Sequence, residues 1–73
     1  MKRIDLKKTG ARLKALRIKK GLSINDLATK FQFKNPTTVY DWEAGRTLPS
    51  IPRLFALAKL YKIPVKSLIV TED

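Results

Sequence analysis

The sequence has 73 residues and a formal net charge of +10, from sixteen Lys and Arg against six Asp and Glu, with no Cys and no His. This length supports one domain, residues 1–73, with a core near the lower limit for unassisted folding. The composition excludes a disulfide framework, a thiol nucleophile and a Cys/His metal site, and with so few carboxylates we expect no metal and no cofactor.

The basic residues are concentrated at the start of the chain, where nine of them lie within the first twenty residues. This excess favours nucleic acid as a partner, because each phosphate contact releases condensed counterions. A solubility face is the alternative, and charge alone does not decide between them. No apolar run is long enough to cross a bilayer or to act as a secretion signal, so we expect a cytoplasmic, nucleoid-associated protein without membrane contacts.

Two helices are predicted in the first half of the chain. The first covers about residues 5–20, with Asp5 as a possible cap and Gly21 as a stop. Ser23 and Asp26 resemble a capping box, which predicts a second helix over about 23–31. In the first helix the residues that recur at steps of three and four are Leu6, Gly10, Leu13, Leu16 and Lys20, and the apolar stripe of the second helix comprises Ile24, Leu27, Ala28 and Phe31.

A third helix is predicted from Pro36 to Ala44. The side-chain oxygen of Asn35 can accept free amides of the first turn, and Pro36 supplies a fixed φ where no N–H is needed. A helix of about nine residues does not normally persist alone in water, so tertiary contacts must hold it. Val39 and Trp42 share one side, which predicts a core position for Trp42 rather than a stacking surface.

Ser50 can cap a fourth helix that tolerates Pro52 in its first turn, and "VKSLIV" has room for about one further helical turn. The final "TED" is expected to fray, and strand patterns are absent. The fold class is therefore all-α, with four to five short helices and a core over about 5–69. The apolar positions of the fourth helix are Leu54, Leu57, Ala58 and Tyr61.

The second and third helices lie a few residues apart, and the third has too few apolar residues to be buried all round. This arrangement predicts a helix-turn-helix over about 23–45. The amino-terminal half of the third helix is left free to face a partner. An α-helix fits the major groove of DNA, and its amino end favours phosphate.

Three segments, "GLSINDLATKF", "PTTVYDWEAGRTLPS" and "LFALAKLYKIPVKSLI", together resemble the helix-turn-helix family of phage repressors and Cro proteins, also called the XRE family. The resemblance covers about residues 10–69 and implies a lambda-repressor-like fold that binds double-stranded DNA. Its most specific part is the run from Trp42 to Arg46, together with Leu-Ala pairs in the second and fourth helices and Pro49-Ser50.

The resemblance also implies a role for individual residues. The family's base-contacting positions fall on Thr37, Thr38 and Asp41, with Tyr40 beside them, and a phosphate-contacting position falls on Arg46. Thr47 can add a hydroxyl to a phosphate contact, and Lys34, just before the cap of the third helix, is a similar candidate. Helix initiation is the alternative role for the two threonines. The family's pairing of an Arg in the first helix with a Glu in the third falls on Arg17 and Glu43, which we expect to form a partly buried structural ion pair, with two solvated charges as the alternative.

Three positions depart from the family pattern. Ile24 replaces a Gln that braces the DNA backbone, and Gln32 replaces a turn Gly, at a cost of about 1 kcal/mol if it adopts that conformation. Asp41 stands where many members have Arg or Lys. A carboxylate at this place faces a polyanion unless it pairs with a cytosine or with a basic neighbour.

The leading functional hypothesis is a sequence-specific DNA-binding regulator, a repressor or control protein of a mobile element or bacterial operon. Because one recognition helix reads only a few base pairs, we expect a homodimer through the C-terminal helices, with Phe55, Leu60 and Ile69 as exposed apolar contacts; completion of a monomeric core is the alternative. The second hypothesis is a protein-binding module of the same fold, such as an antitoxin or anti-repressor. We find no constellation typical of an enzyme and expect no small-molecule effector.

Overall fold

The computed structural model describes residues 2–72. Four α-helices follow one another along the chain and are succeeded by a short 3-10 turn, as the predicted all-α class requires. Their bounds are α1 Leu6–Lys20, α2 Ile24–Lys30, α3 Thr37–Ala44 and α4 Ile51–Tyr61, with the 3-10 turn at Val65–Ser67. Within residues 2–72, none of the helices is long and apolar enough to cross a membrane.

The predicted caps of α1 and α2 are confirmed. The Asp5 side chain accepts from the amide of Lys8 at 2.9 Å, which satisfies one free donor of the first turn of α1. At α2, the Ser23 hydroxyl accepts from the Asp26 amide, and the Asp26 carboxylate accepts from the Ser23 amide, both at 2.9 Å. The hydrogen bond from the Ser23 backbone amide is the largest cause of a lowered pKa of Asp26, and the Ser23 hydroxyl beside the carboxylate lowers it further.

The turn after α2 contains the conformation expected of Gln32. The φ of Gln32 is 60°, in the left-handed region. Gln32 therefore adopts this backbone conformation at a position where the resembling proteins have a Gly. Backbone bonds hold the turn, since Gln32 donates to the Thr29 carbonyl at 3.0 Å and Phe33 donates to the Ala28 carbonyl at 2.9 Å. The strain is therefore offset locally, and the chain reverses direction before α3.

The residue before α4 is Ser50, as predicted, but the expected capping hydrogen bond of its side chain is not formed. Ser50 occupies the cap position, and Pro52 lies in the first turn, yet the Ser50 side chain makes no capping hydrogen bond. The expectation that Ser50 caps the helix through its hydroxyl is therefore wrong. Pro52 has no N–H to offer, so one of the usual donors of the first turn is missing.

The expectation of a helical chain without strands is also wrong at the two ends. Arg3–Ile4 (β1) and Thr71–Glu72 (β2) form a two-stranded antiparallel sheet in which Arg3 pairs with Glu72 and Ile4 with Thr71. Thr71 and Glu72 are thus paired rather than frayed, and Asp73 lies outside the described residues. Strands of two residues are too short to show the alternation by which strands are recognised in a sequence.

The core lies between all four helices and the segment that follows them. Its buried apolar residues are Leu13, Leu27, Ala28, Val39, Trp42, Leu54, Leu57, Ala58 and Leu68. The inner face of α1 differs from the prediction, since Leu6 is 39% exposed and Thr9 is buried. Thr9 can lie inside because its hydroxyl has backbone partners at Val70.

The three residues expected as exposed apolar contacts do not form one surface. Phe55 is 61% exposed on α4, whereas Leu60 and Ile69 are partly buried against the core. The expectation was therefore wrong for Leu60 and Ile69, which largely complete the core of one molecule. Ile51, one turn before Phe55 on α4, is 70% exposed, which is more than any of these three residues.

Candidate nucleic-acid interface

The helix predicted to face DNA, α3, is fixed by its inner side. Val39 is fully buried and Trp42 nearly so, and the Trp42 ring meets Phe31 and Phe33 edge-on, with centroids 5.6 and 5.7 Å away. Edge-to-face contacts of this kind stabilise aromatic clusters beyond the area they bury. Trp42 is thus a core residue, as expected, and a helix of only eight residues is held in place by packing on this side.

The start of α3 lies one residue later than predicted. Pro36 is the cap residue and its carbonyl accepts from the Tyr40 amide at 3.1 Å, while the Asn35 side chain accepts from the Thr37 amide at 3.0 Å. Asn35 therefore satisfies a first-turn donor, and Pro36 directs the chain into the helix. Thr37 opens the helix with its side chain exposed.

The outer side of α3 carries the four residues predicted to contact bases. Thr37 and Tyr40 are exposed, Tyr40 at 54%, while Thr38 and Asp41 are half-buried. All four are accessible on a helix whose opposite side is buried, so the structure brings them together on one surface. Two hydroxyl groups, a phenol and a carboxylate form the set of polar groups available there.

The end of α3 positions the residues predicted to contact phosphate. Gly45 has a φ of 78°, and a Cβ added there would lie 2.8 Å from the Cα of Lys7, so both the conformation and the space require glycine. Arg46 and Thr47 follow with exposed side chains. Lys34, also exposed, lies before the other end of the helix, so the predicted cations flank α3.

Asp41 and Arg46 contact each other. The guanidinium Nη1 of Arg46 lies 3.2 Å from Oδ1 of Asp41, and the side chains are 70% and 31% exposed respectively. A basic neighbour was one of the two partners considered for this carboxylate. The pair places opposite charges side by side where the residues predicted to contact bases meet those predicted to contact phosphate.

Arg17 and Glu43 form a bidentate ion pair between α1 and α3. Nε and Nη2 of Arg17 donate to the two Glu43 carboxylate oxygens at 2.7 and 3.0 Å, and Nη1 donates to the Leu22 carbonyl at 2.8 Å. The side chains are only 9% and 6% exposed, so the pair is more buried than expected. The Glu43 hydrogen bond raises the pKa of Arg17 above its ordinary value.

A shallow cleft of about 200 Å³ opens beside the outer side of α3, lined by Lys14, Ile24, Tyr40, Glu43 and Ala44. Ile24 packs partly against the core, so the side chain that replaces the family's polar residue contributes apolar surface here. Lys14 supplies a cation at the rim. Among residues 2–72, no group of three or more His, Cys, Asp and Glu could hold a metal ion.

A model of the helix-turn-helix family matches residues 13–68, which is most of the chain. The chain belongs to this family, of the XRE type. A comparison with curated proteins found no match.

Solved structures agree with the assignment of this helix-turn-helix protein. The DNA-binding domain of BldD from S. venezulae is 33% identical with a TM-score of 0.74, over 90% of this chain and 97% of that one. The restriction-modification controller protein C.AhdI from Aeromonas hydrophila is 34% identical with a TM-score of 0.75, over 88% of this chain and 96% of that one. The fold is that of DNA-binding transcription regulators.

Two basic residues of this helix-turn-helix protein lie near α3, and neither is among the predicted site residues. Lys14 lines the cleft next to Tyr40, and the backbone of Lys7 packs against Gly45, with the Lys7 side chain exposed. Both belong to α1, in which Lys and Arg residues are numerous. The sequence could have indicated Lys14, because it precedes Arg17 by one helical turn and Arg17 was expected to contact α3.

Proposed function

We propose that this protein is a sequence-specific regulator that binds double-stranded DNA and represses transcription in the manner of a repressor or Cro-like control protein. The observation that carries the proposal is the outer side of α3. Its polar side chains are accessible between flanking cations, and its inner side is fixed by Val39 and Trp42. A rigid helix with this arrangement suits insertion into the major groove.

The base contacts are assigned to the outer residues of α3. Thr37 and Thr38 can offer a hydroxyl to either kind of base edge, or a methyl group to thymine, and Asp41 can accept from the amino group of cytosine. Tyr40 is exposed beside them and adds a phenolic hydroxyl and an apolar ring. Thr37 is the most direct test residue, because it is exposed in the first turn.

The phosphate contacts are assigned to Lys34, Arg46 and Thr47. They lie outside the two ends of α3, so they can meet the backbone on either side of a groove that the helix occupies. Such contacts set orientation and affinity without reading sequence. Loss of one of them should weaken binding to every duplex and reduce the salt dependence.

A homodimer is proposed as the binding unit. Ile51 and Phe55 are 70% and 61% exposed and lie one turn apart on α4, so they form an apolar contact that a second copy can cover. Sedimentation of the wild-type protein and of Phe55→Ser, free and on DNA, tests this. A monomer in both states would refute the dimer, while a dimer weakened in Phe55→Ser would support it.

Fluorescence anisotropy tests the function. The protein is titrated against the DNA upstream of its own gene and against a scrambled duplex, each over a salt series, with Thr37→Ala and Arg46→Ala alongside. Tight binding to one duplex, weakened selectively by Thr37→Ala and on both duplexes by Arg46→Ala, is the expected result. Equal, steeply salt-dependent binding to both would contradict sequence-specific regulation.

A protein-binding module of the same fold, an antitoxin or anti-repressor, is the second candidate. The cleft favours it, because Ile24 and Tyr40 present apolar surface where the resembling proteins carry a polar contact to DNA. The same titration separates the two candidates. The protein-binding module predicts little discrimination between duplexes and no selective effect of Thr37→Ala.

A further inference from the structure

Asp41 organises the turn after α3 through both its backbone and its side chain. Its carbonyl accepts from the amide of Arg46 at 3.0 Å and from that of Thr47 at 3.4 Å, and its carboxylate lies 3.2 Å from Nη1 of Arg46. The guanidinium of Arg46 therefore lies against Asp41, a residue that is proposed to contact bases. The positive charge of Arg46, which is proposed to contact phosphate, is thus partly offset by the Asp41 carboxylate.

The pair is weak enough to be exchanged for other partners. The Arg46 side chain is 70% exposed, and an exposed ion pair changes an equilibrium constant by about fivefold or less. The backbone bonds do not depend on the ion pair, so Arg46 can leave the carboxylate while the turn keeps its shape. Removal of Arg46 alone would leave Asp41 as an unpaired anion facing DNA.

In the major groove, Asp41 can face either hydrogen-bond donors or hydrogen-bond acceptors of the bases. Cytosine presents an amino donor, which a carboxylate can accept, whereas guanine and thymine present carbonyl acceptors that repel it. Adenine has an amino group beside the N7 acceptor, so a carboxylate fits it less well than an amide does. Cytosine is therefore the base that offers Asp41 the best replacement for Arg46.

We propose that Asp41 and Arg46 form an exchange pair that makes the full phosphate contact of Arg46 conditional on a cytosine facing Asp41; this rests on the proposed function. On a cytosine, the carboxylate accepts from the base and Arg46 turns fully to phosphate. On other bases, Asp41 retains Arg46 and offsets its charge. Base reading and phosphate binding are then coupled through one ion pair.

The test uses the duplex that the wild-type protein enriches from a random library, and derivatives in which each C·G pair is replaced singly by T·A. One replacement should weaken wild-type binding by about tenfold or more. The same replacement should reduce the steepness of log K against log salt by about 0.9, because one phosphate contact is lost with the base contact.

Asp41→Asn should abolish that difference in salt dependence. With Arg46 free on every duplex, the variant should show the steeper dependence throughout and bind the replaced duplex about fivefold more tightly than the wild type. Glu72→Gln is the matched control, because it removes one negative charge from β2, outside α3, and should keep the wild-type difference. Arg46→Lys retains the charge and should retain part of the coupling.

The double variant Asp41→Asn/Arg46→Ala completes a cycle with the two single variants. When Asp41→Asn is added to Arg46→Ala, binding to the replaced duplex should be strengthened more than binding to the enriched duplex. Equal salt dependence of the wild type on both duplexes, with discrimination retained, would overturn the exchange pair and leave the proposed function standing. Failure of the library to enrich any duplex would overturn the proposed function itself.

Discussion

At the scale of single residues, the ion pair between Arg17 and Glu43 concentrates charge in a largely apolar interior. Two bonds join the side chains, and the Leu22 carbonyl accepts a third from Arg17. A buried pair of this kind is not by itself a source of stability, since desolvation offsets the attraction. Its importance lies in the cost of losing one partner, which leaves an unpaired charge between α1 and α3.

Glu43→Gln should therefore lower the free energy of unfolding by about 3 kcal/mol, because Arg17 remains buried without its counter-charge. Urea unfolding followed by circular dichroism measures the change. Arg17→Met with Glu43→Leu removes both charges and should recover much of the loss. An unchanged melting temperature in Glu43→Gln would show that the pair is not structural.

Tyr61 is a second residue whose environment changes its chemistry. Its hydroxyl is buried without a hydrogen-bond partner among residues 2–72, and desolvation, the main cause, raises its pKa from 10.0 to about 12. The neutral form is therefore favoured in the folded protein. Because the pKa is higher in the folded than in the unfolded chain, the folded state loses stability relative to the unfolded state as the pH rises from 10 to about 12.

Tyr61→Phe should stabilise the protein at pH 7 by about 1 kcal/mol, since an unpaired buried hydroxyl is removed while the ring remains. Between pH 10 and about 12 the variant should lose less stability than the wild type, because the group with the raised pKa is absent. Chemical unfolding over that pH range measures both effects. A less stable variant at pH 7 would contradict the unpaired hydroxyl.

Individual site residues could be predicted from the sequence only where a local pattern or a family position specifies them. The positions of Arg17 and Glu43 followed from the resemblance, and those of Thr37 and Thr38 from the helix that Asn35 and Pro36 open. The contact between Asp41 and Arg46 could not be chosen in advance. It depends on the left-handed turn at Gly45, which brings Arg46 back beside the helix.

At the scale of secondary-structure elements, the crossing of α1 and α3 positions the outer side of α3, which is proposed to contact DNA. At Gly10, a Cβ would lie 2.6 Å from the carbonyl oxygens of both Trp42 and Glu43, closer than real contacts allow. The two helices therefore touch through their backbones. This close approach also brings Arg17 within bonding distance of Glu43.

Gly10→Ala tests that crossing, because helix propensity and packing predict opposite results. Propensity alone would stabilise α1 by about 1 kcal/mol. The backbone contact predicts a net loss of about 1–3 kcal/mol, since the helices must separate to admit the methyl group. Urea unfolding decides, and Ala15→Gly, at an exposed position of α1, serves as the propensity control. A gain in stability for Gly10→Ala would disprove the close approach.

The elements themselves were largely predictable, since each helix carries its own signals. Asp5, the Ser23–Asp26 box and the Asn35–Pro36 pair identify three starts by local hydrogen bonds that need no tertiary structure. Ser50 marks a start by position although its hydroxyl does not cap. The inward position of Thr9 was not predictable, because its partner at Val70 is distant in sequence.

At the scale of the whole molecule, the two ends of the described chain are fastened to each other. The Thr9 hydroxyl accepts from the Val70 amide at 2.9 Å and donates to the Val70 carbonyl at 3.3 Å, and the Asp5 amide donates to the same carbonyl at 2.8 Å. Arg12 adds a bond to the Ser67 carbonyl. The amino end of α1, which also packs against Gly45, is thereby anchored on both sides.

Thr9→Val keeps the volume of the side chain but removes the hydroxyl that joins the ends. Because Thr9 is 1% exposed, the Val70 amide would lose its partner inside the protein, and the free energy of unfolding should fall by about 1–3 kcal/mol. Hydrogen exchange should accelerate at Val70. Thr71→Val, exposed in β2, is the control and should change stability by no more than about 0.5 kcal/mol. If the two variants behaved alike, the ends would not be held by Thr9, and the anchoring of α1 would have to come from the strand pair and from the bonds of Asp5 and Arg12.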